Sequence, residues 1–192
     1  FLRCSRLGGV LADDMGLGKT LQTLTLLQNE HDAGRMDRPS LVVVPTSLIG
    51  NWHAEAKRFA PSLRVLVLHG PHRMAHFKHI PKVDLVITSY PLAVRDIGTL
   101  GAQDWHYLIL DEAQRIKNAR SQAAVSMKGL RARHRLCLSG TPLENHLGEL
   151  FTLFDFLEPG MLGRASLTGA ASFRSQDAET REVLAKALRP FI

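Results

Sequence analysis

A glycine-rich segment that ends in a lysine and a threonine lies near the start of the chain, in the run Gly16-Leu17-Gly18-Lys19-Thr20. It follows the apolar run Gly9–Ala12 and opens a helical pattern of leucines, which is the strand–loop–helix context that a phosphate-binding loop requires. The glycines let backbone N–H groups approach phosphate oxygens, and the helix N-terminus adds a favourable dipole. Lys19 is predicted to contact the β- and γ-phosphates of a nucleotide, and the Thr20 hydroxyl to ligate Mg²⁺. The alternative is a glycine-rich turn that binds no nucleotide.

Two carboxylates, Asp111 and Glu112, follow the apolar run Tyr107–Leu110. A parallel sheet presents its ligands at the carboxyl ends of its strands, which is where this pair is predicted to lie. Asp111 is predicted to hold Mg²⁺, and Glu112 to polarise the attacking water in phosphoryl transfer. The alternative is a solvated acidic turn. Gln114 is predicted to sense the γ-phosphate or to link the site to the next motif.

A third polar segment follows the apolar run that ends at Leu138. Ser139, Gly140 and Thr141 place two hydroxyls on a glycine-containing turn ahead of a helical stretch. These residues are predicted to couple the nucleotide state to a second surface. The alternative is an ordinary turn at the end of a strand.

Positioning such residues requires alternating strands and helices, and the pattern of the chain predicts them. The predicted strands are Gly9–Ala12, Leu41–Val44, Val65–Leu68, Leu85–Thr88, Tyr107–Leu110 and Arg135–Ser139. The predicted helices are Lys19–Asn29, Leu48–Phe59, Arg73–His79, Ser121–Leu130 and Leu147–Leu157. The strand runs are apolar throughout rather than alternating, which indicates a parallel sheet covered on both faces. The sequence therefore predicts a layered α/β fold.

Composition places the chain among ordinary globular proteins. Its 192 residues carry a net charge of +6, with 45% hydrophobic and 22% charged residues, which excludes a disordered or collagen-like chain. No apolar run reaches the length of about 20 residues that a membrane helix needs, and no signal peptide is evident. We expect a bacterial cytoplasmic or nuclear protein, neither secreted nor membrane-bound. Because the chain begins at Phe1 without an initiator methionine, we also expect it to be an excised piece.

Five segments together resemble the motifs of a known family, the Swi/Snf-type ATPases of helicase superfamily two. They are Leu11–Thr20 for motif I, Val43–Trp52 for motif Ia, Asp84–Tyr90 for motif Ib, Asp111–Asn118 for motif II and Leu138–Asn145 for motif III. The family has an acidic residue where a strict phosphate-binding loop has its first glycine, and Asp13 fits that pattern. Gln114 stands where many members have histidine, so motif II is similar to a DEAQ box.

The resemblance implies a three-layer RecA-like P-loop NTPase lobe with a mostly parallel central sheet flanked by helices. Residues 1–192 are then a single N-terminal helicase ATP-binding lobe, and a second RecA-like lobe with its arginine finger is absent from this chain. The intact parent is expected to hydrolyse ATP with Mg²⁺ as a double-stranded-DNA translocase that remodels protein–DNA complexes, and the isolated lobe to be nearly inactive. The alternatives are a helicase on single-stranded DNA or RNA, and a catalytically silent nucleotide-binding scaffold. The expected ATP-binding residues are Met15, Gly16, Leu17, Gly18, Lys19 and Thr20.

DNA contacts are expected by the same resemblance in motifs Ia and Ib, at Thr46, Ser47, Asn51, Thr88 and Ser89. Hydroxyl and amide groups can bond backbone phosphates without reading sequence, so double-stranded DNA is expected to bind independently of its sequence. Trp52 is favoured as a core residue that packs its helix.

Two clusters carry positive or titratable charge. The basic run consists of Arg115, Lys117, Arg120, Lys128, Arg131, Arg133 and Arg135; it could track phosphates, although its charge alone favours a solvated helix face. The histidine cluster consists of His69, His72, His76 and His79. A metal site is the alternative there, but Pro71 interrupts the run and no cysteine or carboxylate lies within it, which favours a solvent-facing segment.

Overall fold

The computed structural model describes residues 8–12, 18–140 and 147–159, with residues 147–151 described by their backbone alone. Within these ranges, six strands form one sheet in which every neighbouring pair is parallel. The strands are β1 (Gly9–Ala12), β2 (Ser40–Val44), β3 (Val65–Leu68), β4 (Leu85–Ser89), β5 (Asp104–Leu110) and β6 (Arg131–Ser139). Their order across the sheet is β1-β6-β5-β2-β4-β3, which places β5 and β2 in the middle.

Helical segments connect the strands. The α-helices are α1 (Lys19–Asp32), α2 (Ile49–Phe59), α3 (Tyr90–Arg95), α4 (Ile97–Gly101), α5 (Gln122–Gly129) and α6 (Leu147–Leu157). In the described part of the chain, three further segments are 3₁₀ helices: Thr46–Leu48, Arg73–Lys82 and Ala113–Ile116.

The hydrophobic core is divided between the two faces of the sheet, because successive strand residues point to opposite sides. On one face, Val42 of β2 packs in a buried cluster with Leu24 of α1 and Trp52 of α2. On the other face, Val43 lies in a second cluster that includes Met127 of α5. Helices therefore cover both faces, and the molecule has the three α/β/α layers that the sequence predicts.

All six predicted strands are present, and the two that differ most in length extend at their N-terminal ends. Strand β5 begins at Asp104 and β6 at Arg131, where exposed charged residues hide the strand pattern. Helices α3 and α4 are short and are not predicted by the sequence pattern. Pro91 lies in the first turn of α3, a position where a missing N–H is tolerated.

The predicted helix at Arg73–His79 is a 3₁₀ helix that extends to Lys82 instead of an α-helix. Only Ile80 of this segment is buried, and Pro81 within it cannot donate a backbone hydrogen bond. Without an apolar stripe to pack against the sheet, an α-helix of this length gains little from tertiary contacts.

Parallel pairing brings the functionally interesting segments to one edge of the sheet. The segments with predicted site residues follow the carboxyl ends of β1, β2, β4, β5 and β6, the edge at which α/β sheets bind ligands. Among the helices described, none combines the length and the apolar character needed to cross a bilayer.

Candidate nucleotide site and nucleic-acid face

The N-terminus of α1 supplies one side of the candidate nucleotide site. Gly18 precedes the helix in the left-handed region, at φ 77° and ψ 29°, a conformation that favours glycine because a Cβ would be strained there. Lys19 is buried at the first helical position, and Thr20 beside it is half-buried. Met15, Gly16 and Leu17 lie outside the described residues.

Asp111 supplies the opposite side, at the carboxyl end of the central strand β5. Its two carboxylate oxygens each accept one hydrogen bond: Oδ1 from the backbone N–H of Glu112 at 2.9 Å, and Oδ2 from the indole N–H of Trp52 at 2.8 Å. Burial raises the pKa of Asp111 above its ordinary value, although both hydrogen bonds and the positive charge of Lys19 oppose that shift. The carboxylate is thus buried, oriented and within electrostatic reach of Lys19.

Glu112 lies in a backbone conformation that is rare for a residue with a side chain. Its φ is 49° and its ψ 54°, and among the described residues it is the one non-glycine residue with positive φ. Such left-handed residues are strained by about 1–2 kcal/mol and cluster at functional sites. The carboxylate of Glu112 accepts a hydrogen bond from the Gln114 amide. The other amide atom, Gln114 Oε1, is buried and has no hydrogen-bond partner in the described part of the chain.

The donor set fits Mg²⁺, which prefers oxygen ligands and is bound by few protein groups at nucleotide sites. Thr20 offers a hydroxyl from the first turn of α1, and Asp111 a carboxylate that keeps lone pairs on both oxygens. Both residues therefore remain the ones that would hold the ion.

The predicted coupling residues lie beside this site. Ser139 ends β6, where it is paired in register with Ala12 at the end of β1. Gly140 follows it directly, and Thr141 lies outside the described residues. The end of β6 thus adjoins β1, the strand that precedes the glycine-rich segment in the sequence.

The predicted DNA contacts divide into two groups. Thr46, Ser47 and Asn51, which follow β2, are exposed. Thr88 and Ser89, at the end of β4, are only 1% exposed, and the Thr88 hydroxyl donates to the carbonyl of Leu68 at 3.1 Å. Only the first group is therefore presented on the surface of the described lobe, and DNA contacts by Thr88 and Ser89 stay a prediction.

Two aromatic residues make hydrogen bonds to Asp111 that no sequence pattern predicts. Trp52 is fully buried, as predicted, but its indole also donates to the Asp111 carboxylate. The Tyr90 hydroxyl donates to the main-chain carbonyl of Asp111 at 2.8 Å. A tryptophan on the buried face of a helix indicates that a hydrogen-bond acceptor lies nearby, since a buried indole N–H requires a partner.

Internal contacts engage most of the basic run. Arg131 pairs with Asp104, Arg133 with Asp37, and Lys128 with Asp155. Arg135 is turned inward, where its guanidinium donates to the main-chain carbonyls of Phe156, Lys128 and Leu130.

Arg115 is an exposed member of the run that lies beside the site, and it makes no ion pair with any residue in the described ranges. Together with Arg95 it lines an open pocket of about 440 Å³ between α3 and α5, next to Tyr90. Of the basic run, Arg115 is therefore the member best placed to meet an anion near Asp111.

The four histidines at positions 69, 72, 76 and 79 are all exposed. Within residues 8–12, 18–140 and 147–159, no three histidine, cysteine or acidic side chains are grouped as a metal site requires. The solvent-facing interpretation fits this arrangement.

Known proteins share both the sequence and the fold. Residues 2–192 match the family model of the SNF2-related domain. The chain is 44% identical over 175 residues to the putative ATP-dependent helicase/translocase YwqA of Bacillus subtilis, covering 88% of this chain and 18% of that protein. It is 40% identical over 176 residues to the TATA-binding protein-associated factor MOT1 of Saccharomyces cerevisiae, covering 85% of this chain and 9% of that protein.

Among solved structures, the Sulfolobus solfataricus SWI2/SNF2 ATPase core in complex with dsDNA matches with a TM-score of 0.89 and 36% identity. The match covers 100% of this chain and 41% of that chain. The SWI2/SNF2 ATPase core domain from the same organism gives a TM-score of 0.86 at 36% identity. The chain thus spans less than half of the solved cores and less than a fifth of the two curated relatives.

Proposed function

The chain belongs to the SNF2-related domain family, and from this membership we propose that it is the ATP-binding motor lobe of a double-stranded-DNA translocase. The observation that carries the proposal is the juxtaposition of Lys19, at the N-terminus of α1, with the buried and oriented carboxylate of Asp111. This pairing of a phosphate-binding lysine with a metal-binding aspartate is what phosphoryl transfer needs.

Each residue of the site has a definite role in this proposal. Gly18, Lys19 and the N-terminus of α1 hold the phosphates, with Lys19 on the β- and γ-phosphates. Thr20 and Asp111 hold Mg²⁺, which neutralises charge on the phosphate oxygens when it is bound. Glu112 orients the attacking water and accepts its proton, and Gln114 holds the Glu112 carboxylate in place.

A second RecA-like lobe is proposed to complete the ATPase site. We assign residues 1–192 to one lobe, and the match to 41% of the archaeal core supports a longer parent with a second RecA-like lobe. An arginine finger from that lobe contributes about 10³- to 10⁵-fold to the rate in related chemistry. This lobe alone is therefore expected to bind nucleotide weakly and to hydrolyse it barely.

The DNA partner is proposed from the match to the Sulfolobus solfataricus core, which was solved in complex with dsDNA. Thr46, Ser47 and Asn51, exposed where β2 ends, are the proposed contacts to the phosphate backbone. Hydroxyl and amide groups bond phosphates whatever the base sequence, so binding is sequence-independent. Exposed Arg115 would add a charge contact on the same edge of the sheet.

The cargo of the motor is proposed only as a class. The relatives' names include a helicase/translocase, a TATA-binding protein-associated factor and a chromatin-remodeling ATPase. These names support a parent that acts on protein–DNA complexes in a bacterial cytoplasm or a nucleus, with protein partners still to be identified.

The test is ATP turnover by the complete parent protein at one fixed salt concentration, with duplex DNA, single-stranded DNA and RNA compared side by side. We expect duplex DNA to stimulate most and Lys19→Ala to abolish turnover. Stimulation by single strands alone, with strand separation, would replace the translocase by a helicase. No turnover with any nucleic acid would favour a silent nucleotide-binding lobe.

A further inference from the structure

Asp111 is bonded by side chains from two different segments of the chain. The Trp52 indole on α2 donates to the Asp111 carboxylate, and the Tyr90 hydroxyl on α3 donates to the Asp111 main-chain carbonyl, each at 2.8 Å. Trp52 approaches from one face of the sheet and Tyr90 from the other. The residue predicted to hold the metal is therefore held from both layers of helices.

Both segments also lie next to surfaces where nucleic acid is proposed to bind. Trp52 lies in α2, which follows directly on the 3₁₀ segment that contains the exposed Thr46 and Ser47. The exposed Asn51 immediately precedes the tryptophan. Tyr90 begins α3 and lines the pocket shared by Arg95 and Arg115. A displacement of either segment changes the position of a hydrogen-bond donor on Asp111.

We propose that Trp52 is a positioning residue that fixes the Asp111 carboxylate for Mg²⁺ and transmits the position of α2 to it, with Tyr90 acting in the same way from α3. This inference rests on the proposed function, because it concerns the same ATP site and the same nucleic-acid face.

The physical basis is that a carboxylate with a single donor rotates about its terminal torsion more freely than one held at both oxygens. Asp111 Oδ1 is held by the Glu112 N–H, and Oδ2 by the Trp52 indole. Removing the indole N–H leaves Oδ2 buried without that donor and lets the carboxylate turn. Groups that orient a metal ligand in this way typically change metal affinity or activity by about 10- to 100-fold when they are removed.

The alternative is that Trp52 only packs α2 against the sheet. The chain offers a matched control for this alternative in its second tryptophan, Trp105. Trp105 is also fully buried, and its indole N–H donates to the main-chain carbonyl of Leu100 at 3.1 Å, away from Asp111. Trp52→Phe and Trp105→Phe therefore remove the same atoms from the same lobe, but only the first removes a bond to Asp111.

The experiment measures how the affinity of the complete parent for a fluorescent ADP analogue depends on Mg²⁺ concentration, without turnover. We expect Trp52→Phe to raise by about 10-fold the Mg²⁺ concentration at which the affinity for the ADP analogue is half-maximally increased. Trp105→Phe should leave that concentration unchanged. In the same variants, duplex-DNA stimulation of ATP turnover should fall for Trp52→Phe alone. Equal behaviour of the two variants would overturn the proposal.

Two further outcomes are decided by the same design. If Trp52→Phe does not fold, Tyr90→Phe is used instead, because it removes only the hydroxyl that donates to the Asp111 carbonyl. An unchanged Mg²⁺ dependence and DNA stimulation in that variant would overturn the proposal. If the wild-type parent shows no DNA-stimulated turnover, the proposed function fails, whereas the nucleotide-binding measurement still decides whether Trp52 positions Asp111. A wild-type protein that binds the ADP analogue independently of Mg²⁺ overturns the proposal for Trp52, and the turnover measurement still tests the proposed function.

Discussion

Arg133 of β6 donates to the carboxylate of Asp37, which follows α1, at 3.0 Å across 96 positions of sequence. The neighbouring Arg38 bonds the same carboxylate. Arg38, and then Arg133, hold the pKa of Asp37 well below its ordinary value despite the opposing effect of burial. The contact shows why the charge of the run from Arg115 to Arg135 cannot be counted as one nucleic-acid surface: much of it is matched within the lobe.

Nucleic-acid binding should therefore depend on which arginine is removed. We expect Arg115→Gln to lower the magnitude of the slope of log affinity against log salt for duplex DNA by about 1, since one phosphate contact is lost. Arg133→Gln serves as the control and should leave that slope unchanged because its charge is paired with Asp37. Fluorescence anisotropy with labelled duplex, titrated at several salt concentrations, measures both. Equal slopes for the two variants would place Arg115 off the DNA path.

Glu112 should matter for hydrolysis far more than for nucleotide binding. We expect Glu112→Gln to reduce DNA-stimulated ATP turnover by the parent by about 10²- to 10⁴-fold, the usual contribution of a positioned general base. Affinity for ADP should change little, because the phosphates are held by the N-terminus of α1. Steady-state turnover and equilibrium nucleotide binding, measured on the same preparation, separate the two effects. A loss of binding that parallels the loss of turnover would contradict the assigned role.

The central strand should dominate the stability of the lobe. Leu108 of β5 is fully buried and is aligned with Leu41 of β2, so Leu108→Ala leaves a cavity at the middle of the sheet. We expect it to lower the free energy of unfolding by about 2–5 kcal/mol. Val125→Ala, at a side chain that is 60% exposed, should change it by no more than about 0.5 kcal/mol. Urea denaturation followed by circular dichroism gives both values.

Acid should destabilise the lobe through a buried histidine. His106 lies 3.5 Å from Glu30 and 3.9 Å from Asp37, with Arg133 and His134 also facing it. Burial lowers the pKa of His106 below its ordinary 6.5, although Glu30 and Asp37 oppose the shift. The unfolded chain thus takes up this proton first. The stability that the neutral His106 contributes is complete above pH 6.5 and is lost as the pH falls through the folded-state pKa of His106.

The measurement for this prediction is the free energy of unfolding from pH 7.5 to 5 for the wild type and for His106→Gln. The wild type should lose more stability over that interval than the variant does. Identical pH profiles would show that His106 keeps the same pKa in both states.

Sequence patterns alone were enough to give the order of the six strands along the chain and the family, and they predict the residues of the nucleotide site. Apolar runs and the glycine-rich loop are local signals, because a buried parallel strand must be apolar on both faces and a phosphate-binding turn needs particular residues at fixed spacing. All six strands and the Swi/Snf resemblance were confirmed in this way. The roles assigned to Lys19, Asp111 and Glu112 remain predictions.

Only the tertiary structure decided which polar side chains face outward and which are already bonded. Thr88 and Thr46 have the same side chain and both lie at the end of a strand, yet one is buried against Leu68 and the other is exposed. The bond between Trp52 and Asp111 joins residues 59 positions apart. Such pairings depend on how the layers pack across the sheet, and no local pattern of residue types encodes that distance.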